Sequence, residues 1–153
     1  MNRRQQKKLS RRLVGAAMSG DTARVGALLR EGAHPDASDA DGTTPLYAAA
    51  VQGAADTVRC LLAAGASPDT ESGHGAEGTP LCAAACWGHT ETVRALLAHG
   101  ADPDLREDHG TGHSPLDWAT KGPHPETAAA LLAAGARRTG GTSPVLGTGT
   151  AMS

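Results

Sequence analysis

Cys82, Cys86 and His89 stand at i, i+4 and i+7. On one uninterrupted helix that spacing would bring two thiols and an imidazole to a single face, a set suited to zinc. Gly88 interrupts the run, and a glycine there fits the left-handed residue that ends a helix, so His89 falls beyond the helix that carries the cysteines. The two thiols then read as small packing groups beside Ala83-Ala84-Ala85. His34, His74, His99, His109, His113 and His124 fall in turns or at helix ends, with no serine or cysteine placed as a nucleophile partner, and read as exposed polar residues. No glycine-rich loop follows a strand to cradle a phosphate. No catalytic, metal-binding or cofactor-binding residue is assigned, and the chain reads as a non-enzyme without a small-molecule substrate.

The elements that hold these residues are short. Between Gly78 and Asp102, Thr79 is placed to cap a helix and Pro80 suits its first turn. Leu81 to Trp87 continue that helix to Gly88, and Val93, Leu96 and Leu97 give the next one an apolar stripe that ends at Gly100. Neither segment is long enough to be stable alone.

The same string recurs along the chain. Leucine pairs fall at Leu28-Leu29, Leu61-Leu62, Leu96-Leu97 and Leu131-Leu132, each followed by Gly-Ala at Gly32, Gly65, Gly100 and Gly135. Thr44-Pro45-Leu46, Thr79-Pro80-Leu81 and Ser114-Pro115-Leu116 keep the same register, as do the turns at Gly20, Gly53, Gly88 and Gly122-Pro123. A period of this length, with Thr-Pro-Leu, an alanine run, Gly-His and Leu-Leu-x-x-Gly-Ala, resembles the ankyrin repeat from about Ser10 to Arg138. The resemblance implies an all-α solenoid of stacked helix-turn-helix units with short β-hairpin fingers. Four repeats are expected, at about 10–40, 41–75, 76–110 and 111–138, the outer two acting as caps. Pro35, Pro68 and Pro103 are each followed by an aspartate, Asp36, Asp69 and Asp104, expected to bond back to its own turn. Where the family tetrapeptide ends in histidine this chain has Tyr47, Cys82 and Asp117, so other groups must supply the bonds made there.

Composition agrees with stacking rather than a deep core. Phenylalanine is absent and aromatic residues make up 2% of the 153 residues, so alanine must do the close packing. Six of the 14 basic residues, Arg3, Arg4, Lys7, Lys8, Arg11 and Arg12, lie in the first twelve positions; the other eight face 16 acidic residues. The body is thus acidic and a poor match for nucleic acid, whose binding draws on phosphate neutralisation. Residues 1–9 lack periodicity and are expected to form a disordered basic arm; an extended arm of ten residues would reach roughly 33 Å, enough to cover a neighbouring groove. Arg11-Arg12 before Leu13-Val14 has the look of an export signal, but the apolar run is too short and Ser19-Gly20-Asp21 breaks it. Three cysteines form no disulfide framework, which points to a reducing cytoplasm. Richness in alanine, glycine and arginine suggests a bacterial, GC-rich genome. Residues 139–153 are rich in glycine, threonine and serine and read as a flexible tail.

By the resemblance, function lies on the concave side, where fingers and first helices bind another protein, with the chain acting as a monomer. The positions that correspond are Asp41, Thr43, Glu77, Thr111 and His113 on the fingers, and Val51, Gln52, Cys86, Trp87 and Lys121 on the helices. Trp87 is the sharpest candidate, since Gln52 and Gly122 take its place in other copies. Trp118, by contrast, stands where Ala48 and Ala83 sit and is expected to fill the last interface. Carboxylates crowd the fingers and suit a partner with a basic surface. The alternative is contact with nucleic acid or another anionic surface through residues 3–12.

Overall fold

The computed structural model describes residues 1–138; the expected tail at 139–153 lies outside them. Four helix pairs follow one another: α1 (Arg3–Met18) with α2 (Thr22–Arg30), α3 (Pro45–Val51) with α4 (Ala55–Ala63), α5 (Pro80–Cys86) with α6 (Thr90–Ala98), and, after the single turn α7 (Glu107–Gly110), α8 (Pro115–Lys121) with α9 (Pro125–Ala133). Thr44, Thr79 and Ser114 cap α3, α5 and α8, each side chain accepting the backbone N–H three residues on, with proline in the first turn. The first helices stack in one layer and the second helices in another. The chain is thus a solenoid with no single centre.

Two columns of leucine run through the stack. Leu13, Leu46, Leu81 and Leu116 come from the first helices, Leu28, Leu61, Leu96 and Leu131 from the second, and all eight are buried. Each contributes about 1.5–3 kcal/mol by leaving water. Ala16, Ala49, Ala84 and Ala119 form a third buried column, and their small side chains let successive first helices approach closely.

Polar rungs tie each pair to the next. Asp36, Asp69 and Asp104 do not bond back to their own turns. Each accepts the backbone N–H of Ser67, Asp102 or Arg137 in the following unit, at 2.8, 3.0 and 2.7 Å. His124 is likewise not a free surface group: His89 and His124 donate through Nε2 to the carbonyls of Val51 and Cys86, both at 3.0 Å, which fixes the proton on Nε2. That approach explains Gly53 and Gly88. Both have φ near +70°, and a Cβ on either would come within 2.5 Å of the neighbouring imidazole. A third rung pairs hydroxyls, Thr22 with Thr57 and Thr90 with Thr127, each at 2.7 Å. Among the described residues only the last interface has all three kinds. Ala54 replaces the histidine at the first, and Ala55 replaces the threonine at the second, which leaves the buried hydroxyl of Thr92 without a partner among the described residues.

Two further expectations are corrected. Residues 1–9 are not a disordered arm: α1 begins at Arg3, with Asn2 as N-cap in a reciprocal capping box with Gln5, and Leu9 and Ser10 are buried. A helix rises only about 1.5 Å per residue, so the long reach across the groove is not available. The fingers, moreover, form no strands among the described residues. A single antiparallel bridge joins Ser72 and Gly78, and the backbone bonds that close each finger do not extend into a ladder. Asp39 N–H bonds to the Thr43 carbonyl, Ser72 to Gly78 and Glu107 to His113, so the second and third loops are two residues longer than the first.

The missing rung gives a direct test. Ala55→Thr should supply the partner that Thr92 lacks and raise stability by about 0.5–1.5 kcal/mol, whereas Thr22→Ala should strand Thr57 and lower it by about 1–3 kcal/mol. Urea unfolding of the two variants checks both signs.

Candidate functional site

Seven-residue first helices span about 10 Å, with a finger at the N-terminal end of each and the turn to the second helix at the other. Along the finger margin, carboxylates hold the loops in shape. Glu77 accepts from the hydroxyls of Thr43 and Ser72, and Ser72 Oγ accepts the N–H of Thr44. Glu71 takes the N–H of His109 and lies 3.1 Å from its Nδ1. Asp39 accepts from the N–H groups of Asp41 and Thr43. Arg106 is tied to the Gly112 carbonyl. Asp41, Asp108 and Glu77 are exposed.

Thr43 was expected on the binding surface; it is instead buried, with its hydroxyl spent on Glu77. Thr111 is exposed at a finger tip, and His113 is half-buried with its ring edge-to-face on Trp118, centroids 4.9 Å apart. Trp118 does not simply fill the last interface. It is half-buried over its own finger, where Nε1–H donates to Glu107 at 2.9 Å. The fold therefore places a second aromatic ring beside the finger. Its position among small residues was the available signal, since an indole is too large for the fully enclosed space that Ala83 occupies, and Trp118 packs on the core only half-buried.

At the opposite margin, Met18, Val51, Cys86 and Lys121 end the first helices in register, followed by Ser19, Gln52, Trp87 and Gly122 as their C-caps. Val51 and Cys86 are half-buried, while Gln52 and Lys121 are exposed. Trp87 is 64% exposed and Met18 49%, two of the four large apolar side chains left open among the described residues. No hydrogen bond in the described structure uses the Trp87 indole.

The thiols are quiet. Burial pushes Cys82 up to about 12, and its Sγ faces the carbonyls of Leu105 and His113 at 3.9 and 3.6 Å. Cys86 is raised as well, again chiefly by burial. Thiolates, the form that attacks or ligates, are therefore scarce at neutral pH. His89 spends Nε2 on Val51 rather than turning to the cysteines, and among the described residues no three metal-capable side chains converge.

The family model "Ankyrin repeats (3 copies)" matches residues 13–107 and again 72–139. The chain is an ankyrin-repeat protein. No curated protein matches it. Ankyrin repeats are generally protein-interaction modules and typically non-catalytic, and no helix of the described residues is long and apolar enough to cross a membrane.

Glu107 carries a testable charge effect. Burial raises its carboxyl above the ordinary value, partly offset by the Trp118 bond. A raised acid favours the fold in its neutral form, so that contribution is full below the ordinary carboxylate value and is lost as pH rises through the raised one. Glu107→Gln keeps an acceptor for Trp118 but cannot ionise. Its stability relative to wild type should grow across the acid range and level off by neutrality; parallel curves would contradict this. Cys82 should also resist alkylation while half-exposed Cys60 is modified, as read by mass spectrometry.

Proposed function

We propose that this ankyrin-repeat domain is a non-catalytic monomer that binds another protein along its concave side, between the finger carboxylates and the Trp87 margin. The exposure of Trp87 carries the reading. An indole at a helix C-cap, where Ser19, Gln52 and Gly122 suffice in other units, is not demanded by packing, and exposed tryptophan is a common interface anchor. Met18, Val51 and Cys86 extend the same apolar margin, with Gln52 and Lys121 as its polar neighbours. On the other margin Asp41, Glu77 and Asp108 favour a basic stretch of the partner, with Thr111 and His113 beside them. Three free cysteines favour a reducing, cytoplasmic setting.

Partner captured on the immobilised full chain and identified by mass spectrometry should be re-measured with Trp87→Ala. Loss of about tenfold or more in affinity is expected, the cost of a central aromatic anchor. Added salt should slow association through the finger carboxylates. Undiminished binding by Trp87→Ala would remove the reading.

A further inference from the structure

The N-terminal end of the groove differs in sign from the rest. Arg4, Lys7, Lys8 and Arg11 fall at i, i+3, i+4 and i+7, so α1 presents them on one face. With Asp39 and Ala40 of the first finger they line a cleft of about 460 Å³. None of the four is ion-paired among the described residues; the one basic side chain of α1 that is paired is Arg12, 3.8 Å from Glu31. The single carboxylate of the cleft, Asp39, already receives two backbone N–H groups. Stability does not ask for this arrangement. The first turn of α1 holds basic residues and no acidic one, the reverse of what a helix N-terminus favours, and the four like charges repel along one face.

We infer that the cleft between α1 and the first finger seats an acidic peptide segment of the protein partner, held by Arg4, Lys7, Lys8 and Arg11. The inference deepens the concave-surface reading and rests on it, because it gives the bound segment a direction: acidic residues at α1, basic ones over the second and third fingers. Charge complementarity selects the occupant. A nucleic acid running on from the cleft would meet Asp41 and Glu77 with further phosphates, whereas a peptide can change sign along its length. The chain's own residues 139–153 contain no acidic side chain and do not fit.

The test uses the full chain at low salt and a fluorescein-labelled hexaglutamate peptide, followed by anisotropy. Saturable binding is expected, weakened about tenfold or more by Lys7→Glu/Arg11→Glu. Lys7→Gln/Arg11→Gln should weaken it in the same direction, and Arg24→Glu/Arg30→Glu on α2 should leave it unchanged. No binding, equal weakening by both charge-reversed pairs, tighter binding of a labelled DNA duplex, or peptide binding that only tracks self-association of the chain would each overturn the inference. If it falls while Trp87→Ala still reduces partner binding, the concave-surface reading stands; if Trp87→Ala has no effect, that reading falls whatever the peptide does.

Discussion

Every helix but α1 is seven to nine residues or shorter, well below the length at which a helix persists alone in water. The structure therefore depends on the contact between consecutive pairs. Buried leucine and alanine columns supply the bulk of that contact, and three kinds of polar rung set its register. The apolar contacts are non-directional, whereas a carboxylate accepting one particular N–H singles out one register. Where one kind of rung is missing, as at Ala54 and Ala55, two others remain at that interface and the columns continue.

The same constraint shapes the surface. Most finger carboxylates that give the groove its negative character also hold loop backbones or hydroxyls in place, so their charge is available to a partner but their geometry is not free to change. Trp87 differs because no hydrogen bond among the described residues uses its polar edge. Function in such a fold is carried by groups that the stack leaves over. By that criterion Trp87 and the basic face of α1 stand apart from Thr43, which the stack consumes.

Much of the architecture was legible because it repeats. Thr44, Thr79 and Ser114 cap as their spacing implied, and the paired leucines mark the second helices wherever they occur. What escaped is what repetition hides. Asp36 looks like a turn former because the N–H it accepts lies 31 residues on, a distance no local rule reaches. His124, set between two prolines, lost the Gly-His signature although it makes the same bond as His89. The start of α1 has no later copy to compare with, and its six cations mask an Asn2–Gln5 capping box. Trp118 packs against the core in the column where its period puts it, but period alone does not show that its indole also bonds Glu107 and meets His113.

The central claim is that order passes from one helix pair to the next through the interfaces. Hydrogen exchange on the full chain carrying Asp69→Ala tests it most directly, because that change removes one rung and no apolar contact. Faster exchange is predicted throughout α3 to α6, the helices on both sides of the cut. Acceleration confined to the backbone around Asp102, with the helices as protected as before, would contradict the account.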